Sequence, residues 1–358
     1  MECRGHGRDG IPRRTARRHR REHRRAAPAE KGVRLTGVPR SVPPLPLQDR
    51  GAVVTIGTFD GVHRGHRAVL DEIARRAQRT GRRSVLVTFH PHPLHIVRPE
   101  IAPRLLTSPA EKKEFLAESG LQYAVFLAFT PDLQQYSARR FVEDILIARL
   151  GMKELVIGYD HGFGRGREGN VDTMQELGQE LGFEVDAVGE VRVGDEPISS
   201  SAIREALERG DVVSAAHALG RPYSVQGPVV QGMHRGQKLG FPTANLSIGD
   251  PEKLVPLEGI YAVHGVVDGQ HLPGLLHLGP RPTFSGFPPS VELHLLDWKG
   301  DLYGRVIRVD FCARLREVRP FSSPEELIDQ MHRDAELGRR ILAGDTGDGA
   351  NACGEATK

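Results

Sequence analysis

Two histidines three residues apart carry the first chemistry in this chain. They close the string Thr55-Ile56-Gly57-Thr58-Phe59-Asp60-Gly61-Val62-His63-Arg64-Gly65-His66, after an apolar β-branched run at 53–56 and ahead of an amphipathic segment at 68–79. An apolar run of this length reads as a buried strand, and the amphipathic segment reads as a helix. A glycine-bearing turn from strand to helix start gathers backbone N–H groups and the helix dipole at one point, which makes an anion site. Imidazoles at that mouth add donors able to carry positive charge. Gly57, Phe59 and Asp60 in the turn, with His63 and His66 at its end, are therefore candidates for phosphate contact. The bland reading is a tight turn with surface histidines.

Four further stretches could do chemistry. Ser199, Ser200, Ser201 and Arg204 crowd the start of a helix, where hydroxyls and a guanidinium make a second anion site or simply a capped end. Residues 158–167 hold four glycines with Arg165 and Arg167, so the backbone can approach a ligand there and the arginines can pair with phosphate; the alternative is a flexible surface loop. Asp160 and Phe163 lie within it. Phe89-His90-Pro91-His92-Pro93, followed by His95, lacks an acidic or cysteine partner for a metal. With the prolines holding the chain extended, it reads as a loop lining a substrate pocket, His92 included. Last, Gly236, Lys238 and Gly240 build a turn with exposed N–H groups that can cradle phosphate. Thr243 and Asn245 then offer oxygens at alternate positions, a donor set that suits magnesium. Glu292, His294 and Leu296 share one face of an alternating run, and a carboxylate there can accept a hydroxyl proton. A plain hairpin turn and a solvated glutamate are the competing readings.

The elements that must position these groups fall into two patterns. Strand-like runs at 52–56, 84–89, 123–128, 154–158 and 184–188 alternate with helical stretches, which predicts a doubly wound parallel sheet with its ligands at the carboxyl ends of the strands. Ser108-Pro109-Ala110-Glu111 forms a capping box, Ser137 caps a helix over 138–150 that stops at Gly151, and two short helices at 201–209 and 211–219 end in Gly220. After Arg221-Pro222 the pattern changes. Runs at 223–230, 260–267, 272–278, 291–296 and 306–311, separated by Gly, Pro and Asp turns, predict an antiparallel sheet or small β-barrel. A helix capped by Ser323 runs to about residue 341, and 343–358 reads as a loose tail.

Composition narrows the class. With 358 residues, 39% hydrophobic and 27% charged, two globular domains are expected, and no apolar run is long enough to span a bilayer. A signal-peptide core is also missing, so a cytoplasmic protein is expected. Residues 1–31 carry ten Arg and Lys31 against Glu2, Asp9, Glu22 and Glu30, a net of +7; the whole chain is +3, so residues 32–358 sum to −4. That balance argues against a nucleic-acid-binding domain outside the basic extension, which reads as disordered. The G-x-G-x-x-G match at 5–10 follows no strand and carries no weight. Cys3, Cys312 and Cys353 are scattered and odd in number, which predicts free thiols.

The string from Thr55 to His66 resembles the phosphate-binding signature of HxGH nucleotidyltransferases that make FAD. Taken with 158–167 and Ser199–Arg204, the stretch 52–219 resembles the FMN adenylyltransferase half of bacterial bifunctional riboflavin kinase/FAD synthetases. Residues 223–342 resemble riboflavin kinase, through Gly236-Gln237-Lys238-Leu239-Gly240-Phe241-Pro242-Thr243-Ala244-Asn245, Gly279-Pro280-Arg281-Pro282-Thr283-Phe284, Glu292 with His294, and the stretch 295–304. The resemblance implies a basic extension (1–31), an adenylyltransferase domain (32–220), a kinase domain (221–342) and a tail (343–358). By it, His63 and His66 act on the ATP phosphates, with Gly57, Phe59 and Asp60 in the same turn, and Ser199, Ser200 and Arg204 bind the leaving pyrophosphate. Asp160, Phe163 and His92 face the flavin. In the kinase, Gly236, Lys238 and Gly240 wrap phosphates, Thr243 and Asn245 hold Mg2+ with ATP as co-substrate, and Glu292 is the base. Substrates would be riboflavin, FMN and ATP, with no membrane partner and room for a homo-oligomer. Two positions depart from the family pattern: His161-Gly162 after Asp160, and His277 where an asparagine is usual, so altered contacts are expected there. Two other readings stand beside this one. Another HxGH adenylyltransferase, acting on nicotinate nucleotide or phosphopantetheine, explains only the first half; a non-enzymatic flavin-binding regulator with a nucleic-acid-binding tail makes His63, His66 and Glu292 incidental.

Overall fold

The computed structural model describes residues 50–158, 168–193, 196–232, 240–280, 290–344 and 353. Strands β1 (Ala52–Ile56), β2 (Arg83–His90), β3 (Tyr123–Ala128), β4 (Met152–Gly158) and β5 (Glu184–Val188) form one sheet in the order β3-β2-β1-β4-β5, parallel throughout. The central strands read as unbroken apolar runs because helices cover both faces and neither face meets water. Val53, Val54, Val85, Leu86 and Leu155 are fully buried. Strand order reverses at β1, between β2 and β4, and ligands bind such sheets beyond the carboxyl ends of the strands at that point. The turn after β1 opens there.

Helix α1 (Arg64–Thr80) starts on His63 and stops on Gly81. Helix α2 (Pro93–Val97) was expected as extended loop; instead His92 caps it, and Pro93 fits the first helical turn, where the missing N–H costs nothing. Helix α3 (Pro109–Ala117) carries both hydrogen bonds of the Ser108–Glu111 capping box. Then α4 (Pro131–Gln134) and α5 (Ala138–Phe141) follow, and the helix expected to run unbroken to 150 widens into π-type turns over Val142–Ile147, which keep Val142, Ile145 and Leu146 buried. Helix α6 (Val171–Leu181) leads to β5, and a hairpin, β6 (Arg192–Val193) and β7 (Glu196–Pro197), leads to α7 (Ser200–Glu208) and α8 (Val212–Leu219).

Strands β8 (Tyr223–Val230), β9 (Ala244–Leu246), β10 (Gly259–Val267), β11 (Gln270–Gly279), β12 (Ser290–Leu295) and β13 (Val306–Arg316) close an antiparallel barrel in the order β10-β11-β12-β9-β8-β13. Closure leaves no free sheet edge. Helix α9 (Pro324–Leu342) lies on its outer wall, with Ala335 and Ile341 packed among Phe241, Leu275, Ala262 and Ala313. The expected boundary at 220/221 follows the chain, whereas the packing crosses it: Ile203, Leu207 and Leu219 of α7 and α8 share one buried cluster with Val225, Tyr261 and Phe311 of the barrel.

The expectation of free thiols fails as well. Cys312 and Cys353 are joined as a disulfide across 41 residues, with His264 Nδ1 3.5 Å from the Cys312 sulfur. They are far apart in sequence, but β13 and the chain beyond α9 meet on one side of the barrel. Cys3 lies outside the described residues.

Candidate functional sites

The turn between β1 and α1 is wound against ordinary backbone preference. Phe59 (φ 48°) and Val62 (φ 41°) are left-handed without being glycine, and Gly61 between them has φ 84°. Non-glycine residues held there cost about 1–3 kcal/mol each, and a surrounding structure must impose them. Here Arg221, at the start of the barrel half, donates to the carbonyls of Gly61 (2.6 Å) and Val62 (3.1 Å) while its guanidinium sits 3.6 Å from the Phe115 ring centroid. Thr107 Oγ1 accepts from Gly61 N at 3.2 Å. The carbonyl of Thr58 takes the Lys112 ammonium at 2.8 Å and the Thr88 hydroxyl at 3.0 Å. Gly57 is needed for space: a Cβ there would lie 2.9 Å from the Phe59 ring.

This winding stacks the two histidines, ring centroids 3.6 Å apart and nearly parallel, with Phe59 against His66 at 4.6 Å. His63 Nδ1 accepts the His66 amide at 3.3 Å, so its ring proton sits on Nε2. Burial lowers the His63 pKa to about 4, against the opposing pull of Asp60, and burial drives His66 well below its ordinary value. The pair is thus neutral near pH 7, each ring offering a hydrogen-bond donor rather than a full charge. Nδ1 of His66 has no hydrogen-bond partner among the described residues.

Asp60 does a job that its place in the motif does not reveal. Its buried carboxylate accepts from Leu106 N (3.0 Å to each oxygen), Thr107 N (3.2 Å) and Thr107 Oγ1 (3.2 Å), and pairs with Arg204. An anion so surrounded is a bracket for the turn, not a surface offered to phosphate. Ser200 donates to the Asp60 carbonyl at 3.0 Å, and Ser199 caps α7 through Ala202 N at 3.1 Å. The start of α7 thus meets the start of α1, bringing together His63, His66, Ser199, Ser200 and Arg204.

A small cavity opens beside this turn, lined by His90, His92, Thr107, Lys112, Phe89 and Phe126. His92 Nδ1 accepts Leu94 N at 3.2 Å, and burial lowers its pKa to about 4. Lys112, buried and with its pKa lowered by desolvation, is a cation that sequence reading missed. Two adjacent lysines, Lys112 and Lys113, in a helix without an amphipathic period give no hint which one turns inward. His95, taken with the same histidine run, instead pairs with Glu252 at 2.7 Å.

The second group sits on the outer wall of the barrel. Along β12, Leu293 and Leu295 enter the core while Glu292 and His294 face out. Glu292 pairs in register with Asn245 of β9 and with His277 of β11. Thr243 Oγ1 donates to Glu292 Oε2 at 3.2 Å and Ser290 Oγ to Oε1 at 2.8 Å. His294 Nδ1 lies 2.8 Å from the Pro242 carbonyl, tying β12 to the segment after Gly240, which is left-handed at φ 84°. Thr243, Asn245 and Glu292 therefore converge, an all-oxygen set around a carboxylate that fits a hard divalent cation. Asp160, Phe163, Gly236 and Lys238 lie outside the described residues.

Comparison with known proteins matches both halves. The FAD synthetase family model matches residues 45–202, and the riboflavin kinase family model matches residues 219–342. The bifunctional riboflavin kinase/FMN adenylyltransferase of Escherichia coli K12 is 38% identical over 293 residues, covering 82% of this chain and 93% of that protein. The proteins of the same name from Pseudomonas fluorescens and Bacillus subtilis are 39% and 33% identical over 297 residues each, covering 83% and 82% of this chain and 94% and 93% of theirs. Among solved structures, a Streptococcus pneumoniae chain described as a macrolide-efflux protein superposes with a TM-score of 0.73 at 28% identity, covering 82% of this chain and 95% of that one.

Proposed function

This chain belongs to the bifunctional riboflavin kinase/FMN adenylyltransferase family, and on that footing we propose how its two sites divide the work. It makes FMN from riboflavin and ATP, and then FAD from FMN and a second ATP. We assign the first step to the outer wall of the barrel and the second to the turn between β1 and α1. The observation that carries this division is that Glu292 and the His63–His66 pair stand on separate scaffolds, the one on strand β12 of the barrel and the other at the turn between β1 and α1.

In the kinase step, Glu292 takes the proton of the ribityl 5′-hydroxyl as that oxygen attacks the γ-phosphorus of ATP, and ADP leaves. The Thr243 hydroxyl and Ser290 hold the carboxylate in place. Mg2+ would be held with Thr243 and Asn245, and when bound it neutralises phosphate charge. Gly236, Lys238 and Gly240 wrap the phosphates in this reading.

In the adenylyl step, a phosphate oxygen of FMN attacks the α-phosphorus of ATP and pyrophosphate leaves; no group of the protein becomes covalently attached. His63 through Nε2–H and His66 donate to the α-phosphoryl oxygens as charge builds, in a site where the donors are already aimed. Ser199, Ser200 and Arg204 receive the pyrophosphate, and Arg204 must then exchange Asp60 for the incoming anion. Gly57 and Phe59 shape the turn against the nucleotide, with Asp60 bracing it. The cavity beside His92 and Lys112 takes the flavin end, and Asp160 and Phe163 are assigned to the flavin by the family resemblance alone. The dependence of both steps on ATP supports a cytoplasmic site of action; among the described residues no helix is long and apolar enough to cross a membrane.

The test is one incubation of the purified chain with riboflavin, Mg2+ and ATP, products resolved by chromatography. Sequential appearance of FMN and FAD, with ADP and pyrophosphate, is expected. Recovery of unchanged riboflavin overturns the reading.

A further inference from the structure

We propose that Lys253, a residue of the barrel half, is a positioning residue for adenylyl transfer in the other half. The inference rests on the reading above that the β1–α1 turn is the adenylyl-transfer centre.

Lys253 lies between β9 and β10, in a polar stretch where a lysine would ordinarily be solvated. Its side chain is only 4% exposed. An ammonium is kept out of water only when its donors are met. Lys253 Nζ donates to Glu111 Oε2 at 2.7 Å and to the carbonyl of Leu106 at 2.7 Å, and it lies 4.5 Å from the Tyr223 ring centroid. Backbone bonds join the same two segments: Leu105 N to the Glu252 carbonyl at 2.7 Å, and Leu254 N to the Leu105 carbonyl at 2.8 Å.

Leu106 links the two halves. Its carbonyl takes Lys253, and its N–H bonds the Asp60 carboxylate. Thr107, the next residue, holds both Asp60 and the Gly61 amide. Glu111, the partner of Lys253, is also the carboxylate of the α3 capping box, accepting Ser108 N at 2.8 Å. Helix α3 then carries Lys112 to the Thr58 carbonyl. One lysine of the barrel thus fixes both supports of the left-handed turn, the 105–107 segment and the start of α3. The adenylyl-transfer centre is built on a plate that the barrel half holds from behind.

The experiment uses the full chain with Lys253→Met, which keeps the side chain's bulk and removes its charge. Rates of FMN formation from riboflavin and of FAD formation from supplied FMN are measured separately. A small displacement of aligned groups costs up to about a hundredfold in rate, so FAD formation should lose roughly ten- to a hundredfold in kcat with KM for FMN and ATP little changed. FMN formation, carried by the half that contains Lys253, should be unchanged. A merely structural lysine predicts the reverse: a lower melting temperature with both rates intact, or both rates falling together in a chain whose circular dichroism shows it folded. Either result overturns the proposal. Should Lys253→Met lose kinase activity through misfolding, Glu111→Gln, which keeps an acceptor for Ser108 N, must show the same split; failure of that split also overturns it. Wild-type chain that forms no FAD refutes the functional assignment instead, so the two failures are distinguishable.

Discussion

Asp60→Asn decides whether the motif aspartate is a ligand of ATP or the bracket of the turn. In the structure its two oxygens accept from Leu106 N, Thr107 N and Thr107 Oγ1 at 3.0–3.2 Å and also meet Arg204. An amide puts an NH2 where one of those oxygens stood, so at least one donor then faces a donor. A hydrogen bond to a charged group contributes about 1.5–3 kcal/mol. Removing one partner of a buried ion pair costs about 3–5 kcal/mol. Arg204 keeps its second bond, Nε to the Arg104 carbonyl at 2.8 Å, which places the loss near the lower end, about 3 kcal/mol. Urea unfolding should show that loss in the α/β half. FAD formation should fall through kcat while FMN formation persists, because Glu292 and Thr243 lie on the barrel wall. The reasoning is refuted by unaltered stability together with a raised KM for ATP, the signature of a residue that touches nucleotide and braces nothing.

Three other outcomes follow from the geometry. Glu292→Gln should abolish FMN formation and leave FAD formation from supplied FMN; loss of both rates contradicts separate sites. Stability should fall as pH drops from 6.5 toward 4, because His63 and His92 resist protonation in the folded chain to about 4 while the unfolded chain protonates at 6.5. For His63 this amounts to about 3 kcal/mol, and His63→Gln should flatten the slope in urea titrations across that window. Glu72 and Asp186, whose pKa values hydrogen bonds from Arg76 lower, add to the loss from the usual carboxylate range downward. Finally, Cys353→Ser should lower unfolding free energy by about 2–4 kcal/mol, and reductant should do the same to wild type but nothing to the variant.

Local signals carried most of the fold. The strands at 52–56 and 123–128 match β1 and β3, since buried parallel strands announce themselves as apolar runs, and 184–188 matches β5, a largely exposed edge strand. The caps at Ser108, Ser137 and Gly220 depend on residues within four positions of one another. What was not legible depends on partners far along the chain. Arg221 reaches back 160 residues to Gly61, and Lys253 reaches back 142 to Glu111. No periodicity marks either. Asp60 reads as a phosphate contact because it lies inside the histidine motif, yet its carboxylate is taken up by Leu106 and Thr107. The switch to π-type turns at Val142 has no composition signature, and neither has the meeting of Cys312 with Cys353.

Strand β12 writes two messages in alternate letters. Its odd-numbered leucines, Leu293 and Leu295, fill the barrel, and its even-numbered residues, Glu292 and His294, face outward. Folding and chemistry are thereby separable by parity: the interior can be refilled with other apolar shapes while the wall keeps its reagents. The same economy carries a vulnerability, because a register slip of a single residue would exchange the two messages at once. The carboxylate would be driven into the oil and the leucines out into water, leaving a chain that neither folds nor reacts.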